Sequence, residues 1–463
     1  MGRFYNTLRM KRYILRISAL WGRGLILALL NVSLVALFTQ PAYAVVSFAK
    51  TYGGWSYDSA TSVQQTSDGG YIVAGSTTSF GAGKRDIFLI KTDAEGNIIW
   101  AKTYGGTEDE FASSVQQTSD GGYIVAGWTN SFGTGSYDFL LIKTDANGNI
   151  IWAKTYGGTD DDRAFSVQQT SDGGYIVAGS TWSFDAVVYD AFLIKTDANG
   201  NIQWAKTYEV IALDNALSVQ QTSDGGYIVA GYTITISGVG ADIFLIKTDE
   251  KGNIQWAKTY GGTSYDYATS VQQTSDGGYI MAGGTYSFGV GGRDLFLIKT
   301  DANGNISWAK TYGGTDDDLA SSVQQTSDGG YIVAGTTWSF GAGGYDIFLI
   351  KTDAKGNIQW AKTYGGTSYD YATSVQQTSD GGYILASTTI SFGAGERDIF
   401  LIKTNARGNV GSCSIVQDAS PIVNNAPFAV TSRSPSVSSP SFTVNSVSPT
   451  VTSPNLTVSA PCP

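Results

Sequence analysis

Short runs of seven or eight residues, rich in β-branched and aromatic side chains, recur along most of this chain between glycine-rich turns. One such unit spans 112 to 156. Its runs are Ala112 to Thr118, Tyr123 to Thr129, Asp138 to Thr144 and Asn149 to Tyr156. The first turn is Ser119-Asp120-Gly121-Gly122, and Asp145-Ala146-Asn147-Gly148 separates the third run from the fourth. Asp-Gly and Asn-Gly pairs tolerate the positive φ of tight hairpins, and the runs suit a half-buried sheet. The pattern predicts four strands per unit and no helix.

The unit repeats. The stretch S-V-Q-Q-T-S-D-G-G-Y-I occurs seven times, with its aspartate at Asp68, Asp120, Asp172, Asp224, Asp276, Asp328 and Asp380. Every interval is 52 residues. A strict period of this length, filled with short strands, predicts a β-propeller, here with seven four-stranded blades and an all-β fold. The fourth strand carries Trp100, Trp152, Trp204, Trp256, Trp308 and Trp360, but the next position in register, 412, is serine. Counting back from Trp100 reaches Phe48, inside V-V-S-F-A-K-T-Y-G-G. The start of the repeat region is therefore expected to supply the outer strand that the last blade lacks, with Phe48 in the tryptophan slot and no exposed sheet edge left by the break.

Composition divides the chain into three. Residues 1–44 hold six basic and no acidic residues, an apolar run from Leu25 to Phe38, and Ala42-Tyr43-Ala44, which reads as a secretory signal peptide with its cleavage site. This run of 14 residues falls short of the ~20 that a membrane-spanning helix needs. A retained N-terminal anchor is the other reading of this segment. The expected product is secreted, periplasmic or displayed on the cell surface, with no membrane span once the signal is removed. Residues 45–412 form the propeller. From Pro421 onward eight of the nine prolines appear among Ser, Thr and Val, so 413–463 reads as an extended tail or spacer, or as a small β module closed by Cys413 and Cys462. Without the leader the chain has 23 basic against 39 acidic residues, an excess that repels nucleic acid. A monomer is expected.

At K-T-D-A-N-G-N-I-x-W the blade resembles the tryptophan-docking motif of the quinoprotein alcohol-dehydrogenase-like propellers, with Asp145, Gly148 and Trp152 in that order and the Asp-to-Gly gap one residue shorter. The whole repeat, about 45–412, is also similar to secreted propeller repeats of bacteria and archaea written around D-G-G-Y-I-V-A-G. The resemblance implies that the six tryptophans dock neighbouring blades. It brings no cofactor with it, because no residue here matches the quinone pocket.

The chain has no histidine, which removes Ser-His-Asp and Cys-His chemistry and His-ligated zinc. The seven copies differ from one another mainly in two connections, strand four to strand one and strand two to strand three, which lie on the same side of a propeller. One variable face on a rigid scaffold marks a binding surface, although unselected drift in exposed loops produces the same pattern. Trp128, Trp182 and Trp338, with Tyr265 and Tyr369, are the candidate ligand-binding residues. Within these loops an acidic position persists: Asp58, Glu110, Asp162, Asp214, Asp266, Asp318 and Asp370. These carboxylates read either as a calcium site or, more simply, as caps accepting local backbone N–H groups. The resulting expectation is a non-catalytic scaffold for a glycan or a protein, without a required cofactor. A carboxylate-dependent polysaccharide hydrolase or lyase, or a degenerate quinoprotein-like enzyme, is the alternative. The strongest break in the repeat, Glu209 to Leu213 with Phe184 to Val188, is mostly apolar.

Overall fold

The computed structural model describes residues 46–184, 188–234, 240–411, 413–438, 443–446, 450–452 and 456–461. The expected signal peptide, Cys462 and residues 185–187 of the repeat break lie outside the described residues. Seven antiparallel sheets surround one axis, and all regular elements among the described residues are strands. In the first blade the order from the axis outward is Asp58–Gln65, Tyr71–Thr77, Asp86–Thr92 and Ile98–Gly105. The two middle strands are buried along their whole length, which explains their nearly unbroken apolar sequence. The inner strand alternates between buried and half-buried positions and carries a bulge between Ala60 and Ser62 that recurs in every blade.

The last blade is closed by Phe48–Gly53, which pairs with Asp398–Thr404. Phe48 meets the ring of Tyr71 in the next blade at 6.0 Å, edge to face. Trp100 meets Tyr123 in the same way at 5.8 Å, and the other five tryptophans do so with Tyr175, Tyr227, Tyr279, Tyr331 and Tyr383. A second joint repeats beside the first. The Tyr104 hydroxyl donates to the Gly148 carbonyl of the next blade at 2.7 Å, and Tyr52 does the same to Gly96 across the closure. Gly148 itself has φ 72°, and a Cβ there would sit 2.9 Å from the Trp100 ring. The invariant glycine of the D-A-x-G turn thus serves both backbone conformation and blade docking.

The C-terminal tail departs from the expected spacer or separate module. Its strands add a fifth, outermost member to every sheet. Val416–Asp418 pairs with the sixth blade, Ile422–Asn425 with the fifth and Ala429–Arg433 with the fourth. Ser436–Ser438, Thr443–Ser446 and Thr450–Thr452 take the third, second and first, and Thr457–Ser459 pairs with the closing strand Phe48–Gly53. The tail therefore runs once round the ring, opposite to the order of the blades. Its period is seven residues. Val416, Val423, Val430, Val437, Val444, Val451 and Val458 each stand opposite the tyrosine of a K-T-Y segment, from Tyr364 back to Tyr104 and finally Tyr52.

The physical reason is that seven outer strands would otherwise present rows of unpaired N–H and C=O groups. An extended Ser/Thr/Val segment satisfies them. The tail prolines fall between the strands, where no ladder hydrogen bond is lost. Side chains from the start of the tail anchor it: Ile415, Ala426 and Phe428 are buried, and Phe428 packs on Phe288 and Phe296. Cys413, at the head of the tail, is disulfide-bonded and packs against the core around Ile415.

Candidate binding face

Each inner strand runs from the variable loops to the S-D-G-G turn, so the two faces of the ring are chemically distinct. At the turn face, Lys91 is buried and pairs with the exposed Asp68 at 2.9 Å, and every blade repeats this pair. Burial alone raises these aspartates. Hydrogen bonds from the lysine, the neighbouring threonine and a glycine N–H outweigh it and bring Asp120, Asp172 and Asp276 down to about 2. This face is a repeated structural lock.

The variable face holds the exposed aromatics. Trp182 is 47% exposed, Trp338 50%, Tyr265 41% and Tyr369 41%. Trp55, which comparison of the copies passes over, joins them at 85%, together with Tyr57 and Tyr286 at two of the variable loop positions. A sequence signal existed for Trp55, since five of the other six copies place threonine after T-Y-G-G. Trp128 differs from the expectation of a freely exposed loop residue. It is half-buried, stacked on Phe111 at 5.1 Å and edge-on to Phe165 of the next blade at 5.7 Å, because it stands on the strand Tyr123–Thr129 and not in a loop.

A further ring was legible but unread. The residue before each strand-three aspartate is Arg85, Tyr137, Tyr189, Ala241, Arg293, Tyr345 or Arg397. These side chains interleave with the inner strands. Arg85 lies over Phe111 and Arg163 over Tyr137. Arg293 lies over Tyr267 and Tyr286, donates to the Tyr267 hydroxyl, and approaches Asp317 at 3.7 Å. Arg397 lies over Tyr57 and Tyr371. Trp338, Tyr345, Tyr369 and Tyr371 form one continuous aromatic cluster on the sixth and seventh blades.

The persistent acidic series is buried rather than displayed on the rim. Asp58 accepts from the Gly54 N–H at 2.7 Å and the Ser79 hydroxyl at 2.7 Å, and Glu110 accepts from Gly106 and Thr129. Asp162, Asp214, Asp266, Asp318 and Asp370 accept the equivalent N–H groups of their own loops. The geometry is that of a loop cap, and no group of three potential metal ligands occurs among the described residues.

These caps face a second carboxylate. Asp86 of one blade and Glu110 of the next converge on Gly105, where a Cβ would lie 1.9 Å from one and 2.6 Å from the other. The first glycine of T-Y-G-G exists to let them approach. The third blade has Glu209 there instead. Burial first, and then the neighbouring acid, raises these groups: Asp190 and Asp294 to about 7, Asp162, Asp214 and Asp346 to about 6.

A raised carboxyl pKa means that the folded state holds protons the unfolded chain releases. That stabilisation is complete below the unfolded value near ~4 and disappears as pH climbs through 6 and 7. The lysine-paired aspartates act oppositely, stabilising above ~4 and failing as pH falls towards 2. The melting temperature should therefore peak between about pH 4 and 6 and decline towards pH 8. A melting temperature that rises from pH 5 to 8 in a buffer series would contradict the burial of these pairs.

No family model matches the chain. It is 23% identical over 420 residues to the regulatory protein FlaEY of Caulobacter vibrioides, covering 72% of this chain and 43% of that protein. It is also 23% identical over 197 residues to an uncharacterised WD repeat-containing protein of Acanthamoeba polyphaga mimivirus, covering 32% of this chain and 14% of that one. The chain thus spans less than half the length of these relatives. Among solved structures, the WD40 domain of Neurospora crassa Pan2 is 12% identical, with 75% of this chain and 90% of that chain covered and a TM-score of 0.43. Chaetomium thermophilum Sqt1 is 10% identical, with 78% and 98% covered and a TM-score of 0.46.

Proposed function

We propose that the protein is an exported, non-catalytic scaffold that binds a protein partner through its variable face. The observation that carries this reading is the location of the exposed aromatics. Trp55, Tyr57, Trp182, Tyr265, Tyr286, Trp338 and Tyr369 are all exposed, and all stand in the loops where the seven copies differ. Tryptophan, tyrosine and arginine are the side chains that anchor protein interfaces. The arginines here are already held against aromatic rings, so less side-chain entropy is lost on binding. A glycan is the second reading, favoured by the half-open indoles of Trp182 and Trp338, since flat aromatic faces suit sugar rings.

Hydrolysis or lysis of a polysaccharide by paired carboxylates is less well supported. The paired acids are buried beneath the loops and engaged in capping bonds. The bound hydrogens of those caps also argue against calcium at the Asp58 series as a requirement. Export is supported by the leader composition and by register. The closing strand begins at Phe48, so cleavage after Ala44 leaves it whole.

The test begins with partner capture from the surrounding medium and a glycan array, each run with the intact protein and with a Trp182→Ala/Trp338→Ala/Tyr369→Ala variant. The variant should bind its partner at least about tenfold more weakly, since interface anchors commonly cost ~2 kcal/mol when cut to alanine. Its melting temperature should stay within about 2 °C of the parent, because exposed side chains contribute little to folding. Binding that survives this variant, or that is lost on altering the S-D-G-G turns instead, would move the functional site to the other face.

A further inference from the structure

The central channel carries a feature that neither face uses. Gln64 and its six counterparts at 52-residue intervals line a cavity of about 250 Å³ on the ring axis, beside a ring of valines that starts with Val63. Each glutamine accepts, through Oε1, the main-chain N–H of the residue after the next blade's glutamine. Gln64 accepts from Gln117 at 2.5 Å and Gln376 from Gln65 at 2.6 Å, and the other five pairs repeat this. A backbone N–H can only donate, so the oxygen of each amide must turn to it. That orientation leaves seven –NH2 groups on the wall of one small cavity, and none of them has an acceptor among the described residues. The adjacent glutamines, Gln65 and its copies, are spent on the turn itself, as in Ser67 N–H to Gln117 at 2.8 Å.

We infer that this amide ring is a binding site for a small oxyanion of the sulfate or phosphate kind, held on the ring axis. Water can satisfy each amide singly. A tetrahedral oxyanion satisfies several at once, because seven identical donors surround one volume. The nearest charges do not forbid it, since every Asp68-type carboxylate at that end is paired with its lysine. The excess of acidic over basic residues, 39 against 23 without the leader, keeps the affinity modest.

The test uses the whole protein. Gln116→Glu/Gln220→Glu keeps both Oε1 acceptors and the side-chain shape but replaces two donors with anionic oxygens. Melting temperature is measured in sodium sulfate, and separately in sodium phosphate, against sodium chloride of equal ionic strength. In the parent, sulfate at about 50 mM should add at least ~3 °C beyond chloride through ligand linkage. The variant should keep only the general salting effect, at most a third of that increment. Equal increments in parent and variant would overturn the site. Crystals of the unmodified protein soaked in selenate give an independent reading that needs no variant. An anomalous peak on the ring axis at the level of Gln64 supports the proposal, and an axis without one overturns it.

Discussion

A protein lacking residues 45–53 should lose its cooperative melting transition and leave solution as aggregates. That segment closes the ring. It supplies Phe48 and Tyr52, both buried, and the main-chain partners of residues Ile399 to Lys403. Tyr52 also makes the blade-to-blade hydrogen bond to Gly96 at 2.6 Å. Removal frees Asp398–Thr404 as an apolar strand edge, the kind that recruits other chains. The point variant Phe48→Ala isolates the docking contribution. It should cost about 3 kcal/mol, in the range for emptying a buried phenylalanine site, because the cavity lies between two blades and cannot collapse without opening the ring. Size-exclusion chromatography and calorimetry of both proteins check the expectation. A truncated chain that elutes and melts like the parent would mean that the ring does not depend on its N-terminal strand.

The second large effect is expected from the belt. A chain ending at residue 412 keeps all seven blades but uncovers six complete outer strands and the closing strand. It also loses the buried Ile415, Ala426 and Phe428. The melting temperature should fall by about 10 °C, since several kcal/mol are removed and each moves a large domain by a degree or two. Hydrogen exchange should rise along the K-T-Y segments and stay slow in the two middle strands of each blade. Phe428→Ala should reproduce a part of the loss, about 3 kcal/mol, because that ring lies between Phe288 and Phe296. If the shortened chain were as stable as the parent and equally protected on its outer strands, the tail would be an ornament on sheets that do not need it.

The closing strand and the belt differ in how far the sequence revealed them. Phe48 stands in register with six tryptophans, so a count of 52 was enough to place it. The valines from Val416 to Val458 are just as regular at seven residues. That period names no partner by itself. A segment that pairs through main-chain groups has no side-chain code for the edge it joins, and those edges lie far away in sequence. Thr51 and Ser459, which share a 2.7 Å hydrogen bond, are separated by 408 positions. The same limit applies to the acidic series. An unvarying carboxylate in a variable loop reads alike whether it faces solvent or accepts N–H groups beneath the loop.

What the sequence determined alone is everything that a single blade can hold within its own 52 residues: four strands, their turns, the number of copies and the residue that docks each blade to the next. These follow from local periodicity and from turn chemistry that admits few alternatives. Only the tertiary structure decided which sheet edges the tail covers, that the Asp58 series and the Asp86 series meet in buried pairs, and that Trp128 is tucked against Phe165 of the next blade while Trp182 and Trp338 stay half-exposed. It also decided which way seven channel amides turn. Each of these depends on groups from different blades meeting across the axis or around the rim. A ring brings such groups together only when it closes, so no stretch of the chain records the meeting in advance.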